Sequence, residues 1–340
     1  MKVGKIIMRK FLSVIMAIAM TTGLFSGCST AKNPSNSSDN TQTENKEKIL
    51  KVGIVQIVEH PSLDSIRKSF ISGLEAKGFT DKVNIQIDYQ NAQNDQSNLN
   101  SICKKFVGDK VDLIVAIATP SAQAAAAATS EIPVLFSAVT DPVAAKLVID
   151  PNKPSANVTG TSDAIPVDKM FELCKELTPN VKKIGFLYTA SEVNSKSVID
   201  NAIAMIDKYD LEYEEVAITN TSELKQAAVS LANKVDAIYT PIDNSIATAM
   251  PTLAQVGKDS KIPIYVGADS LVADGGYATV GINYEDLGVK TAEMAAQILS
   301  GTPISEIPVA TLDNFQKIIN KTTAIAIDAP SEFEGAITIE

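Results

Sequence analysis

Residues 111–142 read VDLIVAIATPSAQAAAAATSEIPVLFSAVTDP, and this stretch decides the fold class. It opens with an apolar, β-branched run that ends at Thr119, and it closes with a second apolar run that ends at Ser137. Short apolar runs predict buried strands, and the alanine-rich segment between them predicts a helix over residues 122–129. Two strands joined by a helix form a βαβ unit, whose strands are parallel.

The same pattern occurs a second time. Residues 235–250, VDAIYTPIDNSIATAM, repeat the first strand and helix start, and residues 261–270, KIPIYVGADS, repeat the second strand. Further back, KVGIV at residues 51–55 matches KIGFL at residues 183–187. Any two βαβ units look roughly alike, but three matches in one order favour internal duplication. The sequence therefore predicts an α/β fold of two similar, doubly wound parallel-sheet lobes joined by a hinge.

The first 27 residues have the pattern of a secretory signal. Its basic residues come first, at Lys2, Lys5, Arg9 and Lys10. The uncharged apolar run at residues 11–25 is short for a membrane span, which needs about 20 apolar residues. Residues 24–28, LFSGC, resemble the lipobox of bacterial lipoproteins, in which the cysteine, here Cys28, takes the lipid; Phe25 departs from the usual leucine. The alternative is an ordinary signal peptide with a chance cysteine.

Residues 28–48 are rich in Ser, Asn and Thr and predict a flexible tether, because they cannot bury enough apolar surface to offset their ordering entropy. The folded part is predicted to divide into a first lobe, residues 49–161 plus about 285–310, and a second lobe, residues 162–284 plus about 311–340. Signal, lipid and tether together predict a protein anchored at the outer face of the bacterial cytoplasmic membrane.

Composition excludes several classes of function. The net charge of −10 argues against nucleic acid, whose phosphates require a basic surface. A single histidine leaves no material for a histidine metal site or a Ser-His-Asp triad. No phosphate loop, nucleophile elbow or GxGxxG after the first strand is present, so we expect neither an enzyme nor a cofactor. Cys103 and Cys174 lie in amphipathic stretches and are predicted to be buried thiols.

Six segments carry a resemblance to a known family: GIVQIVEHPSLD (53–64), FSAVTDPVAAKLV (136–148), NVTGTSD (157–163), KIGFLY (183–188), PIDNS (241–245) and GGYATVGINYEDLG (275–288). They resemble the type I periplasmic-binding-protein fold. More narrowly, they resemble the ABC-transporter substrate-binding lipoproteins that take up tryptophan, tyrosine or phenylalanine. The resemblance covers residues 50 to about 319. It implies a receptor that closes on a small ligand and delivers it to a membrane permease. A same-fold receptor for a branched amino acid or a nucleoside is the alternative.

Candidate groups for a ligand carboxylate lie where the strands of the first lobe end, because ligands of open parallel sheets bind outside those ends. Hydroxyls and helix-start amides suit a carboxylate. Thr119 and Ser121 precede the predicted helix 122–129, and Ser137 and Thr140 precede the next segment. The alternative is that these side chains are simple helix N-caps.

Candidate groups for a ligand ammonium are the carboxylates at the matching strand ends of the second lobe. Asp243 and Asp269 are the favoured pair, and Asn244 stands beside the first of them. Asp141 is a further candidate in the first lobe, but it precedes a proline and is also typical of a turn start.

Two loops are predicted to line the cleft because of the family resemblance. One follows Gln56 and contains His60, which would stack on a ring or donate to a carboxylate; a solvated loop histidine is the alternative. The other follows Tyr188, which would pack against the ligand side chain or complete the core. The absence of tryptophan disfavours a sugar receptor, because sugar clefts rely on large aromatic surfaces.

Overall fold

The computed structural model describes residues 48–154 and 156–340, which belong to one compact unit. The predicted signal segment, the lipid site at Cys28 and nearly all of the predicted tether fall on residues 1–47 and lie outside the described residues.

The first sheet has six strands within the described residues, and all of its pairings are parallel. Its strands are β1 (Leu50–Gln56), β2 (Ile85–Asn91), β3 (Leu113–Ile117), β4 (Val134–Ser137), β5 (Val158–Ser162) and, late in the chain, β11 (Ala310–Thr311). The spatial order is β11-β5-β4-β3-β1-β2. Every residue of β3 and β4 is buried, as expected for parallel strands with both faces covered.

The second sheet has seven strands in the part of the chain that is described. They are β6 (Lys183–Thr189), β7 (Glu212–Ile218), β8 (Ala237–Thr240), β9 (Ile264–Val266), β10 (Ala278–Gly281), β12 (Gln316–Asn320) and β13 (Ala336–Ile339). The order is β13-β12-β10-β9-β8-β6-β7, with β10 and β12 antiparallel and the other pairs parallel. β7 is an edge strand whose three glutamates oppose pairing with another chain.

Eleven α-helices cover the sheets in the described ranges: α1 (Pro61–Ala76), α2 (Gln96–Gly108), α3 (Thr119–Ala128), α4 (Val167–Leu177), α5 (Val193–Met205), α6 (Leu224–Ala232), α7 (Asn244–Ala247), α8 (Met250–Ser260), α9 (Asp269–Ala273), α10 (Tyr284–Leu299) and α11 (Lys321–Ala326). α10 follows a strand of the second sheet but packs on α1, β4 and β5 of the first lobe. The predicted fold class, two α/β lobes with parallel sheets, is thereby confirmed.

The chain passes between the two sheets three times in the described residues. It leaves the first sheet after β5, returns between β10 and α10, and leaves again between β11 and β12. Asp163 directly follows β5 at the first crossover, and Tyr284 begins α10 at the second. The exact residue limits of the two lobes stay a prediction.

α3 begins at Thr119, three residues before the predicted start at residue 122. Pro120 explains the difference, because a proline in the first turn forfeits no intrahelical hydrogen bond and its fixed φ suits a helix. The helix therefore starts immediately after β3, and its first turn faces the carboxyl edge of the sheet.

α1 and α10 approach closely through glycine. A Cβ on Gly288 would stand 2.0 Å from Ser69 Oγ and 2.6 Å from Ile66 O, and a Cβ on Gly73 would stand 2.7 Å from the Cβ of Ala292. These separations are far shorter than real Cβ contacts, so only glycine permits the observed spacing at these two positions. The two helices form a tightly packed pair.

No helix in residues 48–154 or 156–340 is both long and apolar enough to cross a membrane. Cys103 and Cys174 are free and buried, as predicted from their amphipathic settings. Burial raises the pKa of the Cys103 thiol to about 11 and that of Cys174 to about 12.

Candidate ligand-binding site

A cavity lies between the carboxyl edges of the two sheets, and the space not filled by atoms there, open solvent included, is about 380 Å³. Both lobes line it, through His60, Ser62, Leu63, Thr119, Ala138, Thr140, Asp163, Asn194, Ile242, Asp243, Asn244, Ala247, Ala268, Ser270, Leu271 and Tyr284. The cavity therefore combines polar groups from both lobes with an apolar surface.

Two alanines with left-handed backbone shape the first-lobe wall. Ala118 follows β3 with φ of 75°, and Ala138 follows β4 with φ of 56°. The amide of Ala118 donates to Ser137 O at 2.8 Å. Left-handed φ costs a non-glycine residue roughly 1–2 kcal/mol, and such strain concentrates at functional sites. The strained pair turns the chain sharply at two adjacent strand ends on the cavity wall.

The first turn of α3 presents backbone amides beside the cavity. The first hydrogen bond within the helix runs from Ala122 N to Ala118 O at 3.1 Å. The amides of Thr119 and Ser121 come before this bond along the chain, and Pro120 has no amide hydrogen. The Thr119 hydroxyl is buried and has no hydrogen-bond partner among the described residues. This helix start is suited to an anion.

Asp243 lines the cavity from the second lobe, but both of its oxygens are engaged. Oδ1 accepts from Thr189 Oγ1 at 2.9 Å and from Ile246 N at 2.9 Å. Oδ2 accepts from Thr189 N at 2.7 Å and from Ser195 Oγ at 2.9 Å. A carboxylate has about four acceptor positions. Asp243 therefore caps α7 and joins three elements of the second lobe.

Glu192 is a second buried carboxylate, close behind Asp243. Oε2 accepts from Asn244 Nδ2 at 2.7 Å, Asn244 N at 2.9 Å and Asn194 Nδ2 at 3.0 Å. Oε1 accepts from Ser245 N at 2.8 Å. Burial and the charge of Asp243 raise the pKa of Glu192 to about 7. The many N–H donors hold this carboxylate in place and fix the Asn244 and Asn194 side chains.

Asp163 and Tyr284 meet at the two crossovers between lobes. The Asp163 carboxylate accepts from Thr140 Oγ1 at 2.8 Å and from Tyr284 OH at 3.3 Å. Burial raises the pKa of Asp163 to about 6, and no cationic side chain in the described part of the chain pairs with it. A buried carboxylate without a cation is well placed to receive one from outside.

Three buried polar atoms on residues of the cavity wall lack hydrogen-bond partners within the described ranges: Thr119 Oγ1, His60 Nδ1 and Asn194 Oδ1. Buried polar groups are nearly always paired, because an unpaired one costs about 1–3 kcal/mol. Three such atoms around one cavity are available to pair with a polar molecule bound there.

Direct contacts join the lobes around the cavity. Ser62 Oγ lies 2.5 Å from Ser270 Oγ, and Asn94 Nδ2 donates to Ser245 Oγ at 3.2 Å. His60 Nε2 lies 3.5 Å from Asn244 Oδ1. These pairs hold the two lobes together across the cleft.

Five of the predicted site residues are brought together on the cavity wall: His60, Thr119, Thr140, Asp243 and Asn244. The other six lie off that wall. The internal alignment also matches Ala138 with Ala268, and both of these alanines line the cavity. Which of the side chains contacts a ligand stays a prediction.

Three of the off-wall residues serve the first lobe internally. Gln56 donates through Nε2 to Val58 O at 2.8 Å and to Asp64 Oδ1 at 2.9 Å. Ser137 Oγ lies 2.8 Å from Thr291 Oγ1, which ties β4 to α10. Ser121 is fully buried in the first turn of α3, and its hydroxyl has no hydrogen-bond partner among the described residues.

The other three off-wall residues have hydrogen-bond partners within the protein. Asp141 accepts a hydrogen bond from the amide of Ala144 at 2.9 Å, which stabilises a turn. It also accepts one from Ser197 of the second lobe, outside the cavity. Tyr188 lies in the core and donates its hydroxyl to Glu215 at 2.6 Å. Asp269 is half-buried and accepts from the amide of Ser270 at 2.7 Å; burial raises its pKa.

Sequence reasoning missed Asp163, Tyr284 and Glu192, whereas Asn194 belongs to the loop after Tyr188 that was predicted to line the cleft. Asp163 carried a signal, because it ends the quoted segment NVTGTSD. Tyr284 and Glu192 lie near helix starts, where nothing in the local sequence distinguishes them from ordinary capping segments. No group of three or more His, Cys, Asp or Glu in the described residues is arranged to hold a metal ion.

Comparison with known proteins decides the family. The model of the family described as "ABC transporter substrate binding protein" matches residues 51–329. The chain belongs to this family of ABC transporter substrate-binding proteins. It is 47% identical over 320 residues to a tyrosine-binding protein of Clostridioides difficile (strain R20291), with 94% of this chain and 92% of that protein covered.

Two solved structures are similar to this chain over most of its length. An ABC domain from Streptococcus pneumonia in complex with L-Trp superposes with a TM-score of 0.83 at 41% identity, covering 86% of this chain and all of that one. The ligand-free, open form of a substrate-binding protein with adhesive properties from Clostridium difficile gives 0.68 at 45% identity, covering 86% and 99%. The open form therefore superposes less closely than the tryptophan complex, although it is no less similar in sequence.

Proposed function

We propose that this chain is the extracytoplasmic receptor of an ABC importer, and that it encloses an aromatic L-amino acid between its lobes and passes it to a membrane permease. The observation that carries the proposal is Asp163, a buried carboxylate on the cavity wall with no cationic partner in the described residues. The tyrosine-binding relative and the tryptophan complex support the class of ligand.

The ammonium of the ligand would bind Asp163. Among the described residues, its carboxylate accepts hydrogen bonds from two hydroxyls, those of Thr140 and Tyr284, which leaves acceptor positions open. A cation would stabilise the ionised form that burial disfavours. Asn194 Oδ1, a buried acceptor without a partner in the described residues, is a second group that an ammonium can satisfy.

The carboxylate of the ligand would bind at the start of α3. Backbone amides of its first turn and the Thr119 hydroxyl are donors, and the helix dipole favours negative charge there. The proposed carboxylate site is the one expected from sequence, but the proposed ammonium site is not. The carboxylate of Asp243, which was expected to bind the ammonium, already accepts from four donors of its own lobe.

The ligand side chain would pack on the apolar part of the wall, which Leu63, Ile242, Ala247 and Leu271 form. A flat ring buries a large apolar area against such a surface. Two lobes connected along the chain by crossovers are suited to hinge closure around the ligand. A receptor for a branched amino acid or a nucleoside is the second candidate.

The same proposal includes a lipid anchor at Cys28. The segment LFSGC, the basic amino-terminal residues and the polar tether support an anchored position at the outer face of the cytoplasmic membrane. Membership of the substrate-binding family agrees with a location outside the cytoplasm.

Calorimetric titration of the purified protein with L-tyrosine, L-tryptophan, L-phenylalanine, L-leucine, adenosine and glucose tests the proposal. The chain contains no tryptophan, so bound L-tryptophan can also be followed by its own fluorescence. We expect heat and thermal stabilisation from at least one aromatic amino acid and none from glucose. Binding of L-leucine or adenosine alone would establish the second candidate and reject the aromatic one.

A further inference from the structure

His60 is the single histidine of the chain and stands between β1 and α1, on the cavity wall. It is buried, and burial lowers its pKa to about 4 despite the nearby Asn244 and Asp64. The ring is therefore neutral at pH 7, and one nitrogen carries a hydrogen while the other offers a lone pair. The neighbours of the ring determine which of the two nitrogens carries the hydrogen.

The neighbour of His60 across the cleft is Asn244, whose amide is fixed by Glu192. Asn244 Nδ2 donates to Glu192 Oε2 at 2.7 Å. The same oxygen accepts the amide of Asn244 and the Nδ2 of Asn194. A carboxylate oxygen surrounded by N–H donors repels a carbonyl oxygen, so the Asn244 amide cannot be reversed. Its Oδ1 must face His60.

That orientation assigns the tautomer of His60. Nε2 lies 3.5 Å from Asn244 Oδ1, and an amide oxygen only accepts hydrogen bonds. Nε2 is therefore the protonated nitrogen, and Nδ1 holds the lone pair. Nδ1 is buried and has no hydrogen-bond partner among the residues that the structure describes. The cavity wall thus contains a hydrogen-bond acceptor, Nδ1, that a donor on a ligand can satisfy.

The surroundings of this acceptor match the side chain of the ligand rather than its backbone. Leu63, one helical turn beyond His60 on α1, belongs to the apolar part of the wall. Asp163, the proposed partner of the ammonium, lies at a crossover with Thr140 and Tyr284 instead. The hydrogen-bond donor that we expect at His60 is therefore a group on the ring of the ligand.

We propose that the ligand's aromatic ring donates a hydrogen bond to His60 Nδ1, so that the pocket selects rings with a donor, the tyrosine phenol or the tryptophan indole, over phenylalanine. This inference rests on the proposed function and adds the determinant of its specificity. A site built to accept a ligand O–H or N–H rejects an analogue without one, because the buried acceptor is then unpaired. We expect phenylalanine to bind about ten- to a hundredfold more weakly than the preferred of the other two.

Titration calorimetry on two matched variants tests the role of Nδ1. His60→Phe removes the acceptor and keeps a flat ring, whereas His60→Gln keeps an amide oxygen. The first variant should bind phenylalanine and tyrosine with nearly equal affinity, and the second should retain part of the preference. Equal binding of phenylalanine, tyrosine and tryptophan by the unaltered protein, or an unchanged preference in His60→Phe, would overturn the inference and leave the proposed function intact. If none of the three binds, both fall.

Nuclear magnetic resonance of the unaltered protein gives an independent readout that does not depend on a variant folding. With ¹⁵N-labelled histidine, the single imidazole yields one pair of ring nitrogen signals. At pH 7 we expect a protonated Nε2 and a bare Nδ1, and we expect tyrosine or tryptophan to shift the Nδ1 signal in the direction of an accepted hydrogen bond. A proton on Nδ1, or the same shift with phenylalanine, contradicts the proposal.

Discussion

Ser197 of α5 donates a hydrogen bond to Asp141 Oδ2 at 2.5 Å, and this contact joins the second lobe to the first outside the cavity. Such a bond exists only while the lobes are together, so it favours the closed form without touching a ligand. Ser197→Ala should weaken affinity by about two- to tenfold, because less of the protein is closed, and should leave the preference among ligands unchanged. Calorimetry measures both quantities.

Lys196→Ala is the matched control for that variant, because Lys196 pairs with Asp200 on its own exposed helix face. It should bind like the unaltered protein. A changed ratio of tyrosine to tryptophan affinity in Ser197→Ala would mean that the contact shapes the pocket and does more than stabilise closure.

The charge of Asp163 should make binding depend on pH. The carboxylate must be ionised to hold an ammonium, and its pKa is raised to about 6 by burial. Affinity should be level at high pH and should fall as pH drops through about 6, approaching tenfold per pH unit. Asp163→Asn should lower affinity about ten- to a hundredfold at pH 8. The part of the pH dependence of affinity that comes from Asp163 should be absent in this variant.

Other groups titrate near this window and define the controls. Burial and Asp243 raise the pKa of Glu192 to about 7, so some pH dependence should remain in Asp163→Asn. His60, with a pKa of about 4, stays neutral over most of the range. Asp274 also has a raised pKa but lies outside the cavity, so Asp274→Asn should leave the profile unchanged. An unaltered profile in Asp163→Asn would remove Asp163 from the ammonium site.

Asp243 should matter to stability more than to ligand contact. Replacing it by asparagine exchanges one of its two acceptor oxygens for an NH₂ group, which then faces a backbone N–H donor, that of Ile246 or that of Thr189. We expect Asp243→Asn to lower the free energy of unfolding by about 2–4 kcal/mol in urea titrations. Asp95→Asn is the control, since Asp95 caps α2 through one bond, which asparagine can also make. Full stability with lost binding would instead make Asp243 a ligand group.

The close contact of α1 and α10 gives a steric prediction. Gly288→Ala forces a methyl group toward Ser69 and Ile66 O, where there is no room, and should lower the free energy of unfolding by about 1–3 kcal/mol. Gly108→Ala is the control, because a Cβ there meets nothing within 4 Å at the end of α2. Thermal unfolding should separate the two variants. Equal melting temperatures would show that the helices can move apart freely.

Lipid anchoring through Cys28 is tested by fractionating cells that express Cys28→Ala. Two acyl chains hold a protein stably at a membrane, whereas loss of the modified residue leaves no such anchor. The variant should appear in the soluble extracytoplasmic fraction, and Cys103→Ala, which alters a buried thiol, should stay with the membrane. Membrane retention of Cys28→Ala would exclude the lipobox interpretation.

The fold was predictable because its signal is local and repeated. Buried parallel strands appear as short apolar runs, and the match between residues 111–142 and the segments after Val235 revealed the second lobe. The rule that ligands bind at strand ends directed attention to Thr119 and Asn244, and both residues line the cavity. Each of these predictions uses only the sequence within a single βαβ unit or a comparison of two such units.

The rest depends on contacts between distant residues. Asp163 and Tyr284 are 121 positions apart and meet because two crossovers lie side by side. The acceptors of Asp243 are filled by Thr189 and Ser195, 54 and 48 positions away, so its local sequence cannot show that they are occupied. Left-handed backbone at Ala118 and Ala138 is equally hidden, because alanine ordinarily avoids it.

The glycine contact between α1 and α10 has a consequence for how a transporter would sense loading. His60 precedes the first of these helices and Tyr284 begins the second, so both cavity residues are attached to one stiff block. Occupancy cannot readily bend that block. A membrane partner would then distinguish the loaded from the empty receptor by the distance between one surface on each lobe. The shape of each surface would stay the same in both states.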